Sequence, residues 1–292
     1  MANAITLAQQ FVPILDEIYK LASLTSKLDG NPDLVRAGAN AGELIIPKLS
    51  MQGLGDYSRN SGYVSGDVTL TNETVACNFD RGRMFTVDNM DNQESANIAF
   101  GRLAGEFIRT KVVPELDAFR FAKYCGISGI STVDGAVLSA GADVIAALRA
   151  GTNEMDEDEV PYEDRHLFIT PTLMGLVQDL DTTKSKEVLS RFASSTLVPQ
   201  TRFYTAIDQY DGTTSGEEAG GYIKDATSGK NINFLIVQKS ALIQFSKHVA
   251  PKIITPEMNQ SADAYKFGYR HVAIADAYEN KVAGIYLHKS TT

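Results

Sequence analysis

Apolar residues recur at helical spacing in two long stretches, and at strand-like spacing in shorter pieces between and after them. Leu7, Phe11, Ile14, Leu15, Ile18, Leu21, Leu24 and Leu28 form one stripe of a helix that Thr6 can cap. Pro13 kinks or divides this helix, and Asp29-Gly30-Asn31-Pro32 ends it. The result is an amphipathic arm whose stripe needs a cover, either its own core or a neighbouring subunit. Over residues 37–79 the pattern changes to short β-prone pieces, at 43–49, 62–70 and 74–79, separated by glycine-rich turns such as Gly53-Leu54-Gly55-Asp56. Apolar residues are too sparse there for a private core. The segment reads as a long two-stranded excursion, which is marginal in water unless it lies on another surface.

The second helical stretch is Phe100, Leu103, Ala104, Phe107 and Ile108, with Asp91 or Asn92 as cap and Glu94 in the first turn. Pro114 is expected to bend or end it near Val113, and a second short helix is expected to reach Tyr124. Small residues at 126–141 mark a border. Beyond it the pattern predicts a helix over 142–150, a buried strand over 166–169, a helix over 171–178, strands over 203–207 and 232–237, and a flexible loop over 212–221. Strands over 252–254, 267–278 and 282–288 follow, with Glu279-Asn280 as a reversal. They are expected to return to the long helix and close its domain. The fold class is α+β.

Composition narrows the function. With 292 residues the chain is large enough for one big domain or two moderate ones. A net charge of -9 argues against a sequence-independent nucleic-acid binder. The acidic run from Glu154 to Glu159 lacks the oxygen spacing of a calcium loop and reads as surface. Cys77 and Cys125 read as two reduced thiols. Neither a signal peptide nor a bilayer-spanning apolar run is apparent, so a soluble, unexported protein with no membrane partner is expected.

No chemistry emerges. Gly229-Lys230-Asn231 lacks the glycine and hydroxyl of a phosphate loop, and Gly53-Leu54-Gly55 precedes no helix. Gly126-Ile127-Ser128-Gly129 misplaces the second glycine of a nucleophile elbow. His166, His248, His271 and His288 are scattered without zinc spacing. The expectation is a protein that is not an enzyme, with no catalytic residues, no cofactor and no metal.

What remains is the charge between Phe79 and Arg120, where Arg81, Arg83, Asp88, Asp91, Glu94, Arg102, Glu106, Arg109 and Lys111 alternate in sign. Asp80-Arg81-Gly82-Arg83 followed by Phe85-Thr86-Val87-Asp88-Asn89-Met90-Asp91 resembles a block of tailed-bacteriophage major capsid proteins. So does Val113-Pro114-Glu115-Leu116-Asp117-Ala118-Phe119-Arg120, and so do Ala262 to Arg270 and Lys281 to Tyr286 near the C-terminus. The blocks keep order and spacing from about Gly42 to His288. One departure is local: a His-Asp pair common in those proteins is spread here over His271 and Asp276.

The resemblance implies the Hong Kong 97-type capsid fold. Its parts would be an N-terminal arm over 1–36, an extended loop over 37–86, a peripheral domain over 87–135 and 246–292 with a long spine helix, and an axial domain over 136–245. It also implies self-assembly through pentamers and hexamers into an icosahedral shell around double-stranded DNA, which is held without sequence-specific binding. The implied location is the virion, assembled in the host cytoplasm. A portal and a decoration protein are implied partners, and, with no long charged helix before the arm, scaffolding is expected from a separate protein or from a segment already removed. Arg81, Arg83, Asp88, Asp91, Glu115, Asp117 and Arg120 are the expected assembly or domain-locking contacts. An encapsulin-type nanocompartment enclosing cargo enzymes is the alternative on the same fold.

Overall fold

A computed structural model describes residues 23–30, 36–37, 43–94, 98–135, 137–180 and 183–291. Most of the amphipathic arm lies outside these residues. The strands are β1 (Arg36–Ala37), β2 (Glu43–Met51), β3 (Val68–Ala76), β4 (Phe79–Asp88), β5 (Ser131–Val133), β6 (Arg165–Ile169), β7 (Ser194–Leu197), β8 (Ile207–Gln209), β9 (Tyr222–Lys224), β10 (Ile232–Gln238), β11 (Leu242–Ile254), β12 (Ala264–Ala277) and β13 (Ile285–Lys289). The α-helices are α1 (Asn89–Glu94), α2 (Ile98–Phe107), α3 (Val113–Cys125), α4 (Gly141–Glu157), α5 (Pro171–Asp179) and α6 (Thr183–Ser190). The class is α+β, as the alternation of periods predicts.

A five-stranded sheet, in the order β5-β13-β10-β6-β7, is covered on both faces. Side chains alternate along each strand, and the split follows that period. Phe168, Leu235, Val237, Ile285 and Leu287 face α3, whereas Leu167, Ile169, Phe234, Ile236 and Tyr286 face α4, α5 and α6. A second sheet, β11-β12-β4, is antiparallel and carries β4 against β12 from Ala264↔Asp88 to Ala273↔Phe79. The third, β1-β2-β3, is the excursion: β2 and β3 pair in one continuous register from Glu43↔Ala76 out to Met51↔Val68.

One helix bridges the two larger sheets. Through Leu116, Phe119, Phe121 and Tyr124, α3 packs on the five-stranded sheet and on β12. Phe121 sits edge-on between Phe168 and Phe203, with ring centroids 5.2 and 5.0 Å away. On the other side, Ala104 of α2 and Ile108 and Val112 pack on Phe267 and Tyr269 of the β4–β12 pair.

Four expectations are corrected. Pro114 does not end the helix, because residues Ile108–Val112 form a π-helical turn that joins α2 to α3. Proline lacks an N–H and its ring collides with the carbonyl four residues back. The wider turn, in which Val113 N–H donates to the Ile108 carbonyl, lets the chain pass that position without breaking. The final strand does not return to the long helix's sheet: β13 pairs with β10 and β5 in the five-stranded sheet. Residues 203–206 are not in a strand, which begins only with β8 at Ile207; Phe203 is a buried side chain at the end of a 3-10 turn, and Tyr204 makes a single bridge to Asn231. Residues Ser26–Leu28 close the arm as a 3-10 turn, with Leu28 buried in the chain's own main core.

Candidate functional site

Three polar or apolar constellations stand out around the helix α2–α3 and the excursion. The first anchors the arm. Asp117 lies on α3 and is fully buried, so its carboxylate must find donors locally. It accepts from Ser23 Oγ at 2.9 Å, Leu24 N–H at 3.1 Å, Thr25 Oγ1 at 2.7 Å, Thr25 N–H at 3.3 Å and Arg202 at 3.4 Å. One helical turn on, Arg120 donates to Thr25 Oγ1 at 2.8 Å and to Asp29 at 3.4 Å. A further turn on, Tyr124 donates to Gln244 of β11, whose amide in turn donates to the Thr25 carbonyl and to Asp29. Positions 117, 120 and 124 share one helix face, so a single polar stripe holds residues 23–30 against the rest of the chain. Sequence reasoning picked out Asp117 and Arg120 but missed Ser23, Thr25, Arg202 and Gln244. The one available signal was the hydroxyl-rich Ser23-Leu24-Thr25-Ser26 inside an apolar stripe.

The second constellation joins β4 to the connection between β8 and β9. Arg81 donates to Glu115 at 2.8 Å and to the Tyr210 carbonyl at 2.7 Å. Gln209 also donates to Glu115, at 3.2 Å. Arg83 donates to the carbonyls of Ala219 and Glu218, at 2.9 and 2.7 Å. Between them, Gly82 must be glycine, because a Cβ there would stand 2.6 Å from the Tyr269 carbonyl of β12. Burial raises the Glu115 carboxyl above its ordinary pKa, and the Arg81 guanidinium only partly offsets this. Asp88 accepts the Met90 N–H at 2.9 Å and so caps α1, the role the sequence reading assigned to Asp91 or Asn92. Asp91 lies within α1, and its side chain is outside the described residues. Arg81, Arg83, Asp88, Glu115, Asp117 and Arg120 thus all have partners within one chain.

The third constellation is apolar. Leu49 stands opposite Leu70 and Met51 opposite Val68, which places all four on one face of the outer hairpin. All are more than half exposed. Beyond them the tip adds Leu54, Tyr57, Tyr63 (89 % exposed) and Val64, with Tyr57 and Tyr63 packed edge-on at 4.9 Å. Only the root of the hairpin is covered, where Ile46 and Val75 meet Ile243 and Ile274 and where Lys48 pairs with Glu279 at 2.6 Å. An exposed apolar surface of this kind is the mark of an interaction site.

His271 lies beside the arm anchor, fully buried, with Ser246 Oγ 3.1 Å away. Burial and then the nearby Arg120 guanidinium hold its pKa down to about 3, against an ordinary 6.5. Because the native imidazole refuses a proton that the unfolded chain accepts, stability should fall as pH drops from about 6.5 toward 3. Burial also lowers His166 and His288, which add to the slope, whereas the raised Glu115 carboxyl opposes it at the acid end. Urea unfolding at pH 7 and pH 4.5 should show the loss, and a His271→Gln variant should lose less.

Among the described residues no group of three or more histidine, cysteine or carboxylate side chains is placed to hold a metal, and no helix is long and apolar enough to cross a membrane.

No family model matches the sequence, and no curated protein is similar enough to match it. Solved structures do match. A protein of Mycobacterium phage Che8 is similar at 13% identity, with a TM-score of 0.56 over 85% of this chain and 85% of that one. The capsid of the cyanophage P-SCSP1u is similar at 12% identity, with a TM-score of 0.55 over 87% of this chain and 85% of that one. The virus-like particle from Pyrococcus furiosus is similar at 10% identity, with a TM-score of 0.54 over 95% and 99%. With both larger sheets, the bridging helix and the extended hairpin in place, the chain has the fold of tailed-phage major capsid proteins.

Proposed function

We propose that this protein is the structural subunit of an icosahedral shell, assembled through pentamers and hexamers and enclosing double-stranded DNA. The observation that carries the reading is the outer hairpin. Leu49, Met51, Val68 and Leu70 form an apolar face that the described residues of its own chain leave more than half exposed, on a fold otherwise found in capsids. A neighbouring copy is the cover that such a face requires. In this reading the arm (1–36) and extended loop (37–86) reach neighbours, the peripheral domain comprises 87–135 and 246–292 apart from β5 and β13, and the axial domain comprises 136–245 with those two strands completing its sheet. The seven charged residues act by positioning: Asp117 and Arg120 aim the arm, Arg81, Arg83 and Glu115 fix the root of the loop, and Asp88, with Asp91 beside it, starts the spine. Many weak, repeated contacts let a growing shell correct errors, and charge at their rims sets register more than affinity.

The wall is acidic overall, with a net charge of -9, which suits contents that are enclosed but not gripped. A scaffolding protein, a portal and a decoration protein complete the assembly in the host cytoplasm. The role is structural, without turnover. A second reading, a nanocompartment shell enclosing enzymes, is favoured by the similarity to the Pyrococcus furiosus particle over 99% of that chain. Sedimentation velocity of the purified protein, alone and with co-expressed scaffold, tests the common claim. Shell-sized particles are expected; monomers under every condition would refute it.

A further inference from the structure

The inward-facing positions of β4 read Phe79, Arg81, Arg83, Phe85 and Val87, so two arginines interrupt an apolar stripe. Phe79 belongs to the main core, and Phe85 and Val87 to the cluster under α2. Neither arginine fills the space between them. Each reaches outward instead, and a cavity of about 580 Å³ remains, bounded by Phe79, Phe85, Phe107, Val112, Tyr269 and His271. Part of its outer wall is formed by the two feet of the segment 210–221, Tyr210 to Gly212 and Ala219 to Gly221.

That segment was expected to be a flexible loop, but it is internally ordered. Asp211 accepts from Thr213 N–H and Thr214 N–H, both at 2.7 Å, and from the Thr214 hydroxyl. Glu217 accepts the Asp211 N–H, Glu218 accepts the Gly216 N–H, and Gly220 N–H donates to the Glu217 carbonyl at 2.8 Å. Glycines with positive φ stand at both feet: Gly212 at 77°, Gly220 at 65° and Gly221 at 89°. Arg83 ties the segment to β4 through the carbonyls of Glu218 and Ala219, and Arg81 ties its base through the carbonyl of Tyr210.

We infer that residues 211–220 form a preformed lid at the rim of this cavity, hinged at its glycine feet and latched by Arg83, while Arg81 fixes the foot at Tyr210. The lid moves as a unit because its own hydrogen bonds do not depend on the latch. The feet turn because glycine crosses positive φ without a Cβ penalty. The latch is releasable because Arg83 is exposed and its acceptors are backbone carbonyls that water can replace. Glycine at 220 suits the positive φ, and a Cβ there, 2.7 Å from Arg83 Nη1, would push the guanidinium aside.

The test is hydroxyl-radical footprinting of the full-length protein. Phe79 and Tyr269, which line the cavity and are buried, report opening; Phe168 and Phe234, inside the five-stranded sheet, report global loosening. Arg83→Gln removes one latch and leaves the Arg81–Glu115 pair intact, so the fold is retained. Gly220→Val obstructs the latch while keeping both arginines. Each variant should raise labelling at Phe79 and Tyr269 by about threefold or more with the controls unchanged, as local opening requires. Unchanged labelling in either variant, or an equal rise at the controls, would overturn the lid.

Discussion

Replacing Asp117 by alanine should destabilise the subunit by about 3–5 kcal/mol, the range for leaving buried charged partners uncompensated. The carboxylate is fully buried, and its removal strands the Leu24 and Thr25 amides, the Ser23 and Thr25 hydroxyls and part of the Arg202 charge. Arg120, 1 % exposed, stays behind with Thr25 and Asp29 as its partners. The substitution therefore acts twice, on the fold and on the arm. Chemical denaturation should show the lost stability. Limited proteolysis under native conditions should show cleavage near residues 23–30 that the wild type resists. A loss below about 1 kcal/mol, the scale of an exposed ion pair, would mean that water reaches the site and that the anchor has been misread.

The second large effect belongs to the hairpin and has the opposite signature. Changing Met51, Val68 and Leu70 to threonine keeps β-compatible side chains and removes apolar surface that is exposed in the isolated subunit. Thermal unfolding of the monomer should therefore be almost unchanged. If a neighbour covers that face, each side chain forfeits about 1.5–3 kcal/mol of burial, or roughly 4.5–9 kcal/mol per contact for three. Several orders of magnitude in association are lost at every repeated interface, which light scattering should record as failure to assemble. Normal assembly by this variant would remove the hairpin from the interface. A large drop in monomer stability would place its cover inside the subunit instead.

How much of this was legible depended on how local the signal was. The 3.6-residue stripe through Leu103, Phe107 and Ile108 and the inward apolar run at residues 166–169 could be read because each is set by its own neighbours. The lack of a private core for residues 37–79 was equally plain, and the uncovered hairpin is its structural form. Pro114 misled because a proline stops an α-helix, and nothing in the adjacent residues announces a π-helical turn. β13 was placed with the wrong sheet because its partners, β10 and β5, are set by tertiary pairing across the whole chain. The charged residues were found by their density, but their partners were not: Asp117 binds residues more than ninety positions away, and Arg81 binds a loop beyond residue 209. Charge pattern points to a junction without saying what is joined. The apparent flexibility of residues 212–221 failed for a related reason, since the Asp211 and Glu217 caps that order the loop are drawn from the same polar residues that suggest disorder.

The central claim, a shell whose subunits are joined by the extended hairpin, is tested most directly by electron cryomicroscopy of particles formed with scaffold. The account predicts closed icosahedral particles with pentamers and hexamers, double-stranded DNA inside after packaging, and the face of Leu49, Met51, Val68 and Leu70 buried on an adjacent copy. Closed shells filled with enzyme in place of DNA would move the protein to the nanocompartment reading. Particles in which that face remains open to solvent, or no particles at all, would contradict the account.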